Sequence, residues 1–450
     1  MIQEIKLTSS PEMFCFIVLA GTICLGKMKC EIANLPIETR DLCWPLIVRL
    51  VFSLLLVGAA SISSAEESSD YGTLGVDLRS FYYVRDKQEL PTSEALTQAL
   101  MLRYDSAYMN DIVGLNASFF GNLKLAAEDG KGGTDLLQDE EDGSQESYGK
   151  LAEVFLKFKL PVQSTLDLGR MELFTPLLND PDYRATPTSS QAGLFKIGNN
   201  QFSAYIAATD KGSGYTETTF NNYTDTSGEA FNIYATGLTY ESANSLYLHG
   251  AFGQADNVMD QAYFNARYPW KINDKLNLLF DAYHYSGWAN GEGALAGVGS
   301  DYRSSVSSLA LRLSWERSIL TLNLQGVNGD SYRLSWDGDV HDNTSYYSWQ
   351  SVQRMNFDWA GENSWQLRFD YDFEHYAPGL HFMGRYISGD DIDRQDGLTG
   401  SEWERDIDFI YQPPGIKNLI LKWRYAVVRT TETYDSDEHR LIVQYSLDAF

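Results

Sequence analysis

The chain has 450 residues, with 35 Lys and Arg against 61 Asp and Glu, and a formal net charge of −26. Such an acidic balance argues against nucleic-acid binding, because neutralising phosphates requires a basic surface. All four cysteines (Cys15, Cys24, Cys30 and Cys43) precede residue 66, so the remaining chain has no disulfide framework and no thiolate metal site.

The first 65 residues resemble a secretory signal peptide. The apolar run VFSLLLVG at 51–58 follows Arg40 and Arg49 and is succeeded by small residues that end at Ala65, a candidate cleavage site. The run is shorter than the roughly 20 apolar residues that a spanning helix needs. We therefore predict a leader over 1–65 and one domain over 66–450.

A second apolar stretch lies further upstream and makes this leader unusually long. We expect translation to start later, at Met28, which would make residues 1–27 an artefact of the assigned start. An N-terminal anchor helix is the alternative interpretation.

After the leader, apolar and polar residues alternate with a period of two. In NSWQLRFDYDFEH, Trp365, Leu367, Phe369, Tyr371 and Phe373 alternate with polar residues. This pattern is typical of a strand with one apolar and one polar face, whereas a helix would scatter the two sets around its circumference. Aromatic residues make up 13% of the chain, and aromatic girdles of a membrane barrel use many of them.

The same alternation predicts eighteen strands, an even number as a closed single-chain bacterial barrel requires. The predicted segments are 73–85, 94–106, 110–126, 149–160, 163–171, 191–198, 201–209, 229–240, 244–254, 258–269, 274–286, 303–315, 317–328, 364–374, 379–388, 404–411, 418–430 and 437–449. The sequence thus predicts an all-β fold, a transmembrane antiparallel β-barrel.

The connections differ in length. Short polar turns are predicted near 198–200, 272–274 and 378–379. Long acidic loops are predicted over 128–147, 211–228, 286–300, 329–346 and 389–400. Short turns at one end and long loops at the other are typical of outer-membrane barrels.

The stretch LFTPLLNDPDYRATPTSSQAG, residues 173–193, interrupts the alternation with Pro176, Pro181 and Pro187. Proline cannot donate to a strand ladder, so this stretch is not a wall strand. We predict a loop that folds into the lumen and forms the constriction; an ordinary exterior loop is the alternative.

Other chemistry is not indicated by the sequence. The histidines form no metal-binding spacing, and no nucleophile elbow or nucleotide-binding motif occurs. The acidic loop could hold a divalent cation through Asp135, Asp139, Glu140, Glu141 or Asp142, but a solvated loop is the simpler interpretation. We predict no cofactor, no metal and no catalysis; a barrel enzyme is the rival class.

Six basic residues alternate with apolar neighbours and are predicted to face the lumen, because an arginine facing lipid at the midplane costs about 2–4 kcal/mol. They are Arg267, Arg312, Arg368, Arg385, Lys422 and Arg424. Either they guide anionic groups, as rings of Arg or Lys do in anion pores, or they pair with inward acids such as Asp370 and stiffen the wall.

Three stretches resemble the OprD family of outer-membrane porins over nearly all of 72–450. They are GRMELFTPLLNDPDYRATPTSSQAG, WQLRFDYDFEHYAPGLHFMGRYISGDDI followed by EWERDIDFIYQ, and the ending DEHRLIVQYSLDAF. The resemblance implies a monomeric eighteen-stranded barrel (a trimer is the alternative), inward loops that form an eyelet, and a lumenal basic ladder.

Site residues follow from that resemblance. Arg368 and Arg385 stand at positions similar to those of the family, and Arg405 in EWERD also matches the family's motif. The expected ladder members are Arg368, Arg385 and Arg424. The expected eyelet residues are Asn179, Asp182, Tyr183 and Arg184. The family often selects carboxylate-bearing solutes, so we expect passive diffusion of amino acids or aromatic acids. The stretch LFTPLLND departs from the M-P-T-N-P that is usual in the family. A porin selective for chito-oligosaccharides is therefore the alternative interpretation.

Overall fold

The computed structural model describes residues 71–128, 130–141, 143–293, 298–337, 347–394 and 396–449. The predicted leader, Asp142 and the terminal Phe450 lie outside these ranges. Within them, no helix is both long enough and apolar enough to cross a membrane.

Twenty-two strands form in the described chain. They are β1 Gly72–Lys87, β2 Ser93–Ser106, β3 Val113–Ala127, β4 Gln138–Asp139, β5 Gln145–Glu146, β6 Tyr148–Leu160, β7 Ser164–Met171, β8 Ser189–Gly198, β9 Phe202–Ser213, β10 Asn221–Thr224, β11 Ala230–Phe231, β12 Ile233–Glu241, β13 Tyr247–Ala255, β14 Met259–Lys271, β15 Leu276–Ala289, β16 Arg303–Trp315, β17 Ser318–Gly329, β18 Asn363–Asp372, β19 Leu380–Asp393, β20 Thr399–Tyr411, β21 Leu419–Thr430 and β22 Ser436–Asp448. The short strands β4, β5, β10 and β11 belong to loops, and the other eighteen form the wall.

The wall closes on itself. Each wall strand pairs antiparallel with its neighbours in sequence, and β1 also pairs with β22, so that Leu78 faces Tyr445. A closed barrel leaves no unpaired strand edge, and an open edge at membrane depth would leave backbone groups without partners. The predicted eighteen-stranded antiparallel barrel is therefore confirmed.

The outer face of the wall is apolar. On β17 and β18, Leu322, Leu324, Leu367 and Phe369 are all more than 40% exposed. The residues between them are polar and buried, as Asn323 and Gln366 show with no exposed surface. Apolar side chains that are exposed on the outside and polar ones that are buried inside are the arrangement of a barrel in lipid.

The two ends of the barrel differ, as predicted. One end carries both chain ends of the wall and the short turns, for example Glu316–Arg317 between β16 and β17. The other end carries the long connections 128–147, 172–188, 214–232, 290–302 and 330–362. In outer-membrane barrels the long loops face outward from the cell and the short turns face the periplasm.

The predicted loop over 389–400 was too long. Residues 389–400 were assigned to a loop, but β19 continues to Asp393 and β20 begins at Thr399, with a bulge between Gly389 and Ile392. Gly389 and Ile392 are buried on the inner face of this hairpin, where Phe357 and Glu362 of the β17–β18 connection approach Gly389. Because the bulge separates Gly389 from Ile392 by three residues, the period-two pattern is interrupted although the ladder continues.

Replacing Leu322 by Arg tests the outward face. Leu322 lies in the middle of the apolar row of β17, between Leu320 and Leu324. We expect Leu322→Arg to lower the free energy of unfolding in lipid vesicles by about 2–4 kcal/mol, because the guanidinium would lie in hydrocarbon. Denaturant titration of the refolded barrel measures it.

Leu322→Ala is the matched control, since it removes the leucine without adding a charge. If the arginine and alanine variants lost the same stability, Leu322 would not face lipid, and the proposed orientation of the wall would be wrong.

Candidate functional site: the lumen

The loop between β7 and β8, residues 172–188, crosses the lumen. Asp182 at its tip accepts two hydrogen bonds from Arg79 of β1, at 2.5 Å from Nη1 and 2.7 Å from Nη2. Arg79 Nη1 also donates to the carbonyl oxygen of Arg184 at 2.8 Å. The loop leaves the wall at β7 and is tied to a strand that does not neighbour β7 or β8, so the predicted inward-folded loop is confirmed.

Asp180 holds the loop in shape. Its carboxylate accepts hydrogen bonds from the backbone N–H of Leu173 at 2.8 Å and from the hydroxyls of Thr188 at 2.9 Å and Ser190 at 3.2 Å. Desolvation by burial raises the pKa of Asp180 to about 6, although the hydrogen bonds lower it. A buried carboxylate with three donors fixes the base of the loop to β8.

A second loop, between β17 and β18, packs on the first. The indole N–H of Trp336 donates to the carbonyl oxygen of Leu177 at 2.6 Å, and Trp336 is fully buried. Leu173, Leu177 and Leu178 are buried in the same apolar cluster. The constriction is therefore a packed structure rather than a single free loop.

On one side of the loop tip lies a cavity of about 510 Å³, which we call the cationic cavity. Its lining comprises Arg79, Phe81, Asp182, Tyr183, Arg184, Asp408, Ile410, Ile420, Lys422, Arg424, Ile442 and Gln444. Four cationic side chains face two carboxylates, so the lining carries two net positive charges in a chain whose net charge is −26. Lys422 forms no ion pair with any residue that the structure describes.

On the other side lies a cavity of about 430 Å³, which we call the tyrosine chamber. Six tyrosines line it: Tyr183, Tyr247, Tyr263, Tyr283, Tyr285 and Tyr347. The rings pack on one another, with 4.8 Å between the centroids of Tyr263 and Tyr285, and the Arg267 guanidinium lies 4.5 Å from the Tyr247 ring centroid. Tyr183 lines both cavities.

All ten site residues predicted from the sequence lie on the lumen side. Asp182, Tyr183, Arg184, Lys422 and Arg424 line the cationic cavity.

The remaining five divide between the chamber and the wall. Asn179 and Arg267 line the tyrosine chamber. Arg312, Arg368 and Arg385 occupy inward positions on β16, β18 and β19 but line neither cavity.

Three of the five wall arginines predicted to face the lumen pair with acids. Arg368 donates to Asp370 of its own strand, at 2.8 Å from Nε and 2.6 Å from Nη2. Arg385 pairs with Asp406 at 2.5 Å, and the Arg385 side chain is only 8% exposed. Such pairing with inward acids is what one of the two interpretations left open by the sequence expects.

Arg424 pairs with Asp408 at 3.0 Å, but its side chain stays 28% exposed beside Lys422. Pairing therefore leaves this guanidinium accessible from the cationic cavity, so that stiffening and guiding are compatible at this position.

Arg79 was missed by the sequence reasoning. On β1, Arg79 alternates in phase with Phe81, Tyr83 and Arg85, which point inward together. The opposite face carries Leu78 and other apolar residues, so both faces of β1 are partly apolar. On other strands the lumen face is marked by polar residues opposite an apolar lipid face, and this contrast is absent on β1.

The acidic loop contributes to the lumen as well. Arg184 Nη2 donates to Asp135 at 3.0 Å, and Asp135 thereby joins the inward loops. No cluster of His, Cys, Asp and Glu that could hold a metal ion occurs among the residues whose placement is described.

A closed barrel with an apolar exterior, a polar lumen and inward loops that leave two cavities defines a transmembrane channel of the outer membrane. A family model described as outer membrane porin, OprD family, matches residues 69–449. The chain belongs to the OprD family of outer-membrane porins and lies in the outer membrane, as predicted.

The chain is also similar to individual porins in sequence and in structure. Porin D of Pseudomonas aeruginosa is 28% identical over 434 residues, which cover 87% of this chain and 95% of Porin D. The crystal structure of P. aeruginosa OccK9 (OpdG) is 27% identical with a TM-score of 0.76, covering 85% of this chain and all of that one. The structure of P. aeruginosa OpdK with vanillate is 25% identical with a TM-score of 0.74, covering 84% and 98%.

Replacing Asp180 by Ala tests the hold on the loop. The change removes an acceptor of three hydrogen bonds, and each bond to a charged group contributes about 1.5–3 kcal/mol. We expect the loop to loosen and the single-channel conductance in planar bilayers to rise, with the barrel still folded.

The matched control is Asp225→Ala. Asp225 accepts hydrogen bonds from Ser227 and Glu229 in an exposed loop. Its loss should leave conductance unchanged. Equal conductance of wild type and Asp180→Ala would show that Asp180 does not set the width of the lumen.

Proposed function

We propose that this porin passes small solutes that bear a carboxylate, by passive diffusion and without catalysis. One observation carries the proposal: the cationic cavity has two net positive charges, whereas the chain as a whole is strongly acidic. Rings of basic side chains suit anion pores. A net positive constriction attracts anions and repels cations at the narrow part of the path.

Lys422 is the cation best suited to bind the solute. Arg79 is held by Asp182 and Arg424 by Asp408, whereas Lys422 has no acid partner in the described part of the chain. A cation that is already paired offers less to an incoming carboxylate. The unpaired ammonium of Lys422 therefore contributes most of the attraction for the solute carboxylate, and the paired arginines lie beside it.

The tyrosine chamber favours solutes with a ring. Six aromatic side chains beside an anion-attracting cavity could contact an aryl or sugar ring while the carboxylate stays near Lys422. Among the relatives, OpdK was crystallised with vanillate. We favour an aromatic acid; a chito-oligosaccharide is the second candidate, because tyrosines also contact sugars.

Replacing Lys422 and Arg424 together by Gln tests whether the positive charge of the cationic cavity selects anionic solutes. Two unit charges about 4 Å apart in water interact by roughly 1 kcal/mol, which corresponds to roughly fivefold in permeability for each charge removed. We expect acetate uptake in liposome swelling to fall by at least that factor, with little change for a neutral sugar of similar size.

Lys275→Gln is the control, since Lys275 is exposed at a short turn and pairs with Glu316 away from the lumen. If acetate and sugar uptake fell equally in the double variant, the effect would be steric, and charge selection would be rejected.

Replacing Tyr183 by Ala tests the ring preference. Tyr183 lines both cavities, and an aromatic contact contributes about 0.5–1.5 kcal/mol. We expect the ratio of benzoate to acetate uptake to fall by roughly two- to tenfold, while the preference for anions over cations persists.

Tyr376→Ala, at an exposed position in the turn between β18 and β19, is the matched control. A swelling panel of benzoate, basic amino acids and chito-oligosaccharides decides between the two candidates. Faster uptake of the oligosaccharides than of benzoate would favour the sugar channel.

A further inference from the structure

Arg405 faces the outside of the wall rather than the lumen. On β20, Glu402, Glu404 and Asp406 are buried toward the interior, and the alternate residues point outward. Arg405 is in the outward set and is exposed. Its neighbours in that set are Trp403 and Ile407, which face lipid.

The level of Arg405 in the membrane follows from the aromatic rows of this wall. The rings of Trp365 and Tyr386 lie 5.6 Å apart, and those of Tyr386 and Trp403 5.9 Å apart, between centroids. Arg405 pairs in register with Tyr386. This row lies toward the long-loop end of the barrel, so Arg405 lies at the interface with the outer leaflet.

A second row marks the opposite interface. The rings of Phe382 and Phe409 are 5.2 Å apart, and those of Phe409 and Trp423 are 5.9 Å apart. Ile407 lies between this row and Arg405 on the same strand. Arg405 is thus displaced from the apolar band toward the outer headgroups.

Among the residues that the structure describes, Arg405 has no counter-ion. The acids that face outward nearby are Asp390 and Asp437. Asp437 is engaged by Arg429 at 2.7 Å, and the Arg429 guanidinium lies 5.8 Å from the Trp403 ring centroid. A lipid-facing charge is costly unless it is paired, so its partner must come from the membrane.

We propose that Arg405, with Trp403 and Tyr386, binds the phosphate-bearing headgroup of an outer-leaflet glycolipid. A guanidinium matches phosphate oxygens with two parallel hydrogen bonds. The rings, apolar in body and polar at one edge, suit the sugar of the same headgroup. This site lies on the outside of the barrel and is independent of the transport path.

Native mass spectrometry tests the proposal. The whole purified porin in detergent is mixed with bis-phosphorylated lipid A, and the lipid-bound fraction is compared for wild type, Arg405→Gln and Arg405→Lys. The control is Arg317→Gln, an exposed arginine at the short-turn end that pairs with Asp372. We expect Arg405→Gln to weaken binding by about tenfold, Arg405→Lys to restore part of it, and Arg317→Gln to bind as wild type does.

Two further arms identify the ligand. Dephosphorylated lipid A should bind wild type no better than Arg405→Gln, and inorganic phosphate should not displace bound lipid A. Equal binding of lipid A by wild type and Arg405→Gln, an equal loss in Arg317→Gln, undiminished binding of dephosphorylated lipid or displacement by free phosphate would each overturn the proposal.

Acetate uptake separates this site from the transport path. Because Arg405 lies outside the lumen, uptake by Arg405→Gln should equal that of wild type. A matching loss of acetate uptake would show that Arg405 acts on the pore and would also overturn the proposal.

Discussion

Every backbone N–H and C=O at membrane depth must find a partner within the protein, because lipid offers none. Closure of β1 onto β22 meets this requirement for all eighteen wall strands. The other features of the molecule follow from closure. Once the wall is a closed sheet, alternate residues can only face lipid or the interior, so leucines line one side and polar residues the other.

Closure also places charged side chains in the interior of the barrel. Charged side chains that are withdrawn from bulk water need partners, since an unpaired buried charge is strongly destabilising. Arg385 with Asp406 meets this need inside the wall, and Arg85 and Arg440 share Glu438 at 2.6 and 2.8 Å. Most inward charges are therefore committed to structure. Lys422, which lines the cationic cavity, is the cation that the proposed function assigns to the solute.

The inward loop divides the lumen into two cavities with different linings. Its tip is held by Arg79, and its base by Asp180. Tyr183 at the tip separates a cationic cavity from a tyrosine chamber. Because Tyr183 lines both, the two cavities adjoin at the tip, and the proposed solute would meet a charged and an aromatic surface there.

The sequence by itself determined the eighteen wall strands and, on most of them, the face that each residue presents. This was possible because a strand has a period of two and lipid enforces the contrast between its faces, as in Trp365 to Phe373. It also located the interrupted stretch around Asp182, because three prolines cannot join a ladder. Where the contrast failed, as on β1 around Arg79 or in the hairpin beyond Gly389, the prediction failed or stopped short.

Only the tertiary structure decided which side chains meet. Arg79 and Asp182 are 103 positions apart, and no local pattern relates them. The same is true of the tyrosines, whose rings gather from three strands and two loops into one chamber. Alternation states which way a side chain points, but the partner across the lumen depends on strand register and on how the loops pack, and both are set by contacts between distant parts of the chain.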